Sequence, residues 1–349
     1  IVRKRLWDPV HRAAGSANEL FLVPEGAIWN VPWLALPGRG NGYLADEGRI
    51  VRVLNAEREL LGDDAPAGRG LLAMGGPDFD LDRTAASRSA KPATEAADRS
   101  WPCVSGRAGP LGPLPAARAE VEAIAGIWDT STSVGDRALF VGAASDERTF
   151  KREAPGKAVI HLATHGIVLR DTCEVAVSDL RGVGGVAALE RRPGKSTGSG
   201  SRKGSAVTWL GHRVWLALAG ANRPAGTVAD ENEGLLTAEE VSTLDLAGTD
   251  WVVLSACHSG VGEAWAREGQ LGMRRAFHLA GARTVIASGW AVADEATREW
   301  MLGLYAARLR NLPAGDAVRE ASRMMLEQRR REGRSTHPFY WGGFAAVGE

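Results

Sequence analysis

Four near-continuous apolar runs, at residues 158–163, 213–219, 251–256 and 284–288, constrain this chain more than any other feature of its sequence. A strand with one wet face alternates apolar and polar residues. A run without that alternation, four to seven residues long, suits a strand buried on both faces. Such strands need helices on either side, and helical patterns do lie between them. Val121, Ile124, Ala125 and Trp128 fall on one helical face after the turn at Pro113-Leu114-Pro115. Met273, Ala276, Phe277 and Ala280 mark a second face, Met301, Leu304 and Tyr305 a third, and Ala317, Ala321, Met324 and Met325 a fourth. Strand and helix in repeated order predict an α/β fold with a mostly parallel sheet covered on both sides.

The first part of the chain follows the same logic, with strands expected at residues 19–23, 50–54, 70–74 and 138–141. We therefore expect a smaller α/β half at residues 1–137 and a second half at 138–349. Ser145 or Asp146 is placed to cap a short helix, and Thr237 with Glu240 forms a capping box. Two stretches break the pattern and read as mobile surface insertions: residues 83–109, rich in Ala, Ser, Arg and Pro, and residues 191–204, rich in Gly, Ser and Lys. Gly194-Lys195-Ser196 in the second resembles the end of a phosphate loop. However, the glycine that pattern needs five residues earlier is Leu189, and no strand is expected to lead into it.

Lys plus Arg and Asp plus Glu total 42 each, so no net field draws the chain to nucleic acid or an anionic membrane. The apolar runs are too short to span a bilayer, and no signal peptide is visible. Three cysteines without a CxxC pair make a disulfide framework untenable, and a cytoplasmic setting is expected. Seven scattered histidines show no ligand spacing, so neither a metal nor another cofactor is expected. Ile1 is not an initiator methionine, and a longer parent protein is expected.

Two of the buried strands end in reactive residues. The run at 158–163 leads into Thr164-His165-Gly166, and the run at 251–256 leads into Cys257-His258-Ser259-Gly260. Functional groups of open α/β sheets gather at the carboxyl ends of the strands. A thiol is only a few per cent thiolate at neutral pH, and a neighbouring imidazole raises that fraction. Taken singly, Cys257 reads as a small buried hydrophobe and His165 as a packed histidine. Together they suit a nucleophile and its general base. Gly166 and Gly260, lacking side chains, let a substrate carbonyl approach the main chain, and the backbone N–H groups of Gly166 and Cys257 would form the oxyanion hole. His258 competes as base, but adjacent residues on a strand point to opposite faces, so His165 is preferred. His161 is expected to be either a packed group or one that supports His165 from behind.

The series of motifs resembles the CHAT family of caspase-like peptidases, domains often found downstream of tetratricopeptide repeats. The resemblance rests on Val23-Pro24-Glu25-Gly26, on Pro113-Leu114-Pro115 with Glu120 and Glu122, and on His161-Leu162-Ala163-Thr164-His165-Gly166. It continues through Leu218-Ala219-Gly220-Ala221-Asn222, Glu233-Gly234-Leu235-Leu236-Thr237, Ser255-Ala256-Cys257 and Ser288-Gly289-Trp290, and closes at His337-Pro338-Phe339-Tyr340-Trp341. It implies a caspase-like sheet with a Cys257–His165 dyad, and a substrate groove lined near Ser288, Gly289 and Trp290. His258 and Ser259 depart from the residues usual after the cysteine, and Gly289 stands where the family has Leu. In the related separases the helix after the Trp motif supplies an acid that selects a substrate Arg. Here the aligned position is Arg298, one turn beyond Asp294, so a basic residue before the scissile bond is not the expected preference.

The resemblance thus implies a cysteine endopeptidase acting on protein substrates, with an upstream repeat domain or regulatory partner. The competing expectation is a catalytically silent caspase-like adaptor that only binds proteins.

Overall fold

The computed structural model describes residues 2–40, 42–61, 66–81, 111–131, 135–169, 175–177, 214–223, 234–255, 272–290, 292 and 294–348. Cys257, with the residues around it, and both expected insertions lie outside them. The first element is helix α1 (Val2–Ala14), followed by strands β1 (Glu19–Leu22) and β2 (Ile50–Val53). β3 (Leu71–Pro77), α2 (Pro115–Trp128), β4 (Arg137–Gly142), α3 (Glu147–Glu153) and β5 (Val159–Ala163) come next. β6 (Gly166–Leu169), β7 (Val175–Val177), β8 (Val214–Ala217), β9 (Leu235–Thr237) and α4 (Ala238–Ser242) precede β10 (Trp251–Ser255). The chain closes with α5 (Met273–Leu279), β11 (Thr284–Ser288), α6 (Asp294–Leu309), α7 (Ala314–Arg331) and β12 (Phe344–Gly348).

Eight strands form the main sheet in the order β1-β2-β12-β11-β10-β5-β3-β4. All neighbours are parallel except β11 and β12, so the sheet is the mostly parallel one expected. Strands from both sides of residue 137 share it. A second sheet, β7-β6-β8-β9, is antiparallel. β5, β10 and β11 are buried on both faces, as the composition of these runs requires. Trp251 and Val253 of β10 join one core with Leu71, Ala73, Val159 and Ala163, while Val252 and Leu254 join the other with Leu72, Met74, Ile160 and Leu162. The first core lies under α2, α6 and α7; the second lies under α3, α4 and α5.

Local signals in the sequence set the starts of α3 and α4. Asp146 caps α3 by accepting the Thr149 N–H at 2.7 Å, and Thr237 and Glu240 form their capping box at the start of α4. Met324 departs from expectation: it is 42% exposed, while Met325 beside it is buried. An eighteen-residue helix drifts relative to its apolar stripe, so one of two adjacent methionines must face out. Close packing of α2 onto the sheet depends on Gly75, where a Cβ would come within 2.8 Å of both the Val121 side chain and the Ala117 carbonyl oxygen.

Candidate active site

β5 and β10 are adjacent and parallel, with Ala163 opposite Ser255 in the last rung. The described parts of the two strands therefore end at the same rung. On one side the next residues are Thr164 and His165; on the other, the sequence continues through Ala256 to Cys257, outside the described residues.

The exit of β5 is anchored to β8. The Thr164 hydroxyl, buried, donates to the Ala217 carbonyl, and the Ala217 N–H donates to the His165 carbonyl at 2.9 Å. Gly166 then pairs with Leu216 of β8. Because the Ala217-to-His165 bond brackets that pair, Gly166 and Leu216 form a non-hydrogen-bonded pair, and the Gly166 N–H is directed away from β8.

The His165 imidazole is buried, with only 6% of the residue exposed. Its Nε2 lies 3.0 Å from the carbonyl oxygen of Gly112, in the segment leading into α2. A carbonyl only accepts, so Nε2 carries the proton, and in the neutral ring Nδ1 is the basic nitrogen. The ring also lies against Phe79, which follows β3, with centroids 5.2 Å apart. The sequence offered no sign of either contact: an isolated Gly and Phe beside an irregular stretch carry no periodicity.

Four residues earlier, His161 sits within β5, fully buried and packed as expected. Its Nε2 is 3.0 Å from Glu120 Oε1 on α2, and its Nδ1 is 3.1 Å from the Tyr305 hydroxyl on α6. Burial, and then the nearby charge of Glu120, push the Tyr305 hydroxyl well above the usual phenol range, so it stays protonated. Both polar ends of the imidazole are thus satisfied inside a fully buried core: Nε2–H donates to the carboxylate and Tyr305 donates to Nδ1.

The segment after β11 lies beside the exit of β10, since those strands are also parallel neighbours. Ser288 is buried and paired with Phe344. The Gly289 N–H donates to the Gly343 carbonyl at 2.7 Å, and the Trp290 indole N–H donates to the Phe339 carbonyl at 3.2 Å. Asp294 is the first residue of α6, and Arg298, one turn on, is exposed. Among the described residues no helix is long and apolar enough to cross a membrane.

Comparison with known proteins agrees with this architecture. The family model described as "CHAT domain" matches residues 2–349. Tetratricopeptide repeat protein 28 of Mus musculus is 26% identical over 344 residues, covering 96% of this chain and 12% of that protein. The chain thus spans about an eighth of the length of that relative. Among solved structures, the Arg-specific cysteine proteinase gingipain R aligns with a TM-score of 0.52 at 9% identity, covering 98% of this chain and 66% of that one. The complex of Porphyromonas gingivalis RgpB pro- and mature domains aligns with a TM-score of 0.52 at 9% identity, covering the whole of this chain and 68% of that one. At such identities the likeness is one of fold.

Proposed function

The chain belongs to the CHAT domain family, and from that premise we propose that it is a cysteine endopeptidase in which Cys257 is the nucleophile and His165 the general base. The observation that carries this reading is the last described rung between β5 and β10, Ala163 opposite Ser255, with His165 and Cys257 each two residues further along the chain. The caspase-like fold is the setting in which such a pair works, and the Gly112 carbonyl supports the tautomer the reaction requires.

In this mechanism the Cys257 thiol gives its proton to His165 Nδ1, and the thiolate attacks the carbonyl carbon of the scissile peptide. Charge on the carbonyl oxygen is met by the N–H groups of Gly166 and Cys257. As the C–N bond breaks, the imidazolium returns the proton to the leaving amine, and water then hydrolyses the thioester with His165 again accepting a proton. No cofactor takes part. Residues 138–349 carry both motifs, and Ser288, Gly289, Trp290, Asp294 and Arg298 line the approach of a protein substrate. The repeat protein related to this chain supports the further reading that an upstream repeat domain or regulatory partner governs the site, in a cytoplasmic setting.

The test is covalent labelling by peptidyl chloromethyl ketones of mixed sequence. Modification mapping to Cys257, lost in Cys257→Ala and His165→Ala while both variants remain folded, is the expected result. An unlabelled but folded wild-type chain would overturn the peptidase reading and leave a protein-binding adaptor.

A further inference from the structure

The His165 ring is held in part by Gly112 and by Phe79, and a single side chain ties together the segments that supply these two contacts. That side chain is Asn222, on the turn that follows β8. Its Oδ1 accepts the Leu111 N–H at 2.7 Å, and its Nδ2 donates to the Leu111 carbonyl at 3.0 Å. The same Nδ2 donates to the Asp80 carboxylate at 2.7 Å. The Asn222 backbone N–H donates to the Phe79 carbonyl at 2.9 Å.

A primary amide that pairs with both the N–H and the C=O of one residue fixes the orientation of that residue's two peptide planes. The plane after Leu111 leads directly into Gly112. Gly112 cannot hold itself: it has no side chain, and a Cβ there would meet nothing within 4 Å. The direction of its carbonyl is therefore inherited from its neighbours, above all from Leu111, which Asn222 grips. The turn that carries Asn222 is itself locked to the same region, since the Gly220 N–H donates to the Asp78 carbonyl at 2.9 Å. Gly220 has φ +90, a conformation that strains any residue bearing a side chain, so this turn favours glycine.

We propose that Asn222 is a positioning residue for His165. It holds the Gly112 carbonyl and the Phe79 backbone in one frame, so that the imidazole keeps Nε2 protonated and presents Nδ1 as the base. The catalytic consequence rests on the peptidase reading above, whereas the positioning itself does not. Asn222 touches neither the substrate nor the reacting atoms. Its effect runs through tautomer and ring orientation, where a misplaced base slows proton transfer by a large factor without weakening substrate binding.

The experiment uses the full chain, with its histidines labelled with nitrogen-15 and His165 assigned by its absence in His165→Gln. In the wild type, His165 gives the signature of an Nε2-protonated ring. In Asn222→Ala and Asn222→Asp that signature shifts toward a mixture of tautomers, and the rate of Cys257 alkylation by iodoacetamide at pH 6.5 falls about tenfold. Asp80→Asn, at an exposed site, perturbs only one of the three side-chain bonds and produces a smaller shift in the same direction. Should Asn222→Ala fail to fold, Asn222→Asp and Asp80→Asn still decide the matter. Wild-type His165 resonances in a folded Asn222 variant would overturn the proposal. A wild-type chain whose cysteine takes no peptidyl label would instead overturn the peptidase reading, and the nitrogen-15 signature would still report whether Asn222 positions the ring.

Discussion

Ala163 and Ser255 face each other in the last rung of the β5–β10 pair, and this one register relationship governs where both reactive motifs begin. A slip by one residue would turn every side chain of a strand to the other face, exchanging Val252 and Leu254 for Trp251 and Val253 between the two cores. The burial of both sets holds the register, and the register holds the exits level.

A consequence is measurable in the thiol chemistry. An isolated thiol is about 1% thiolate two pH units below its usual pKa. We expect Cys257 to react with iodoacetamide at pH 6.5 at least roughly tenfold faster in the wild type than in His165→Ala. Equal rates, followed by mass spectrometry of the Cys257 peptide, would show that the two residues do not communicate.

The Glu120–His161–Tyr305 chain should be structural in its energetics. Tyr305→Phe leaves Nδ1 without its donor in a dry site and should cost about 1–2 kcal/mol. His161→Leu removes the partner of a buried carboxylate and should cost more, about 3 kcal/mol. Urea unfolding of the two variants checks both values; a change below 0.5 kcal/mol for Tyr305→Phe would mean that the bond contributes nothing.

Glu147 carries a pH dependence of stability. It is almost wholly buried, its Oε1 accepts from Lys151 Nζ at 2.6 Å, and its Oε2 has no hydrogen-bond partner among the described residues. Burial pushes its pKa from 4.5 up to about 7, against the pull of Lys151 and with the help of the Glu240 charge. The folded state thus holds this proton more tightly than the unfolded chain does. The contribution is full below about pH 4.5 and is lost as pH rises to about 7, by about 3 kcal/mol. Glu240 shifts the opposite way, so the comparison to make is between wild type and Glu147→Gln. The stability difference between them should change by that amount between pH 4.5 and 7.5 in denaturant titrations; a constant difference would count against the shift.

Substrate preference offers a test of the groove. With Arg298 exposed on α6, and no acid at the aligned position, a peptide library should not favour Arg or Lys before the scissile bond. Arg298→Glu should raise acceptance of those residues several-fold. A wild-type profile dominated by Arg would assign the selection to Asp294 or Glu295 instead.

Much of this architecture was legible in the sequence because it depends on local pattern. The runs now seen as β5, β10 and β11 show no regular apolar–polar alternation, which suits strands buried on both faces. Asp146 and Thr237 announced their helices because a cap is satisfied within four residues. The order of motifs, from Pro113 to His337, carried the family. By contrast, no element was expected before Glu19, where α1 contains Pro9 and buries Trp7 alone. β12 was missed as well: Phe344–Gly348 is short, and it is a strand because it pairs antiparallel with β11 and joins that strand to β2. The sequence by itself therefore determined the fold class, the buried strands and which two strand ends bear reactive groups, since periodicity and capping act over a few neighbouring residues. Only the tertiary structure decided that Gly112 and Phe79 hold His165, that Glu120 and Tyr305 satisfy His161, and that Asn222 joins segments more than a hundred residues apart. Hydrogen bonds across such separations leave no periodic trace in the chain; they exist only once the sheet has brought its strand ends together.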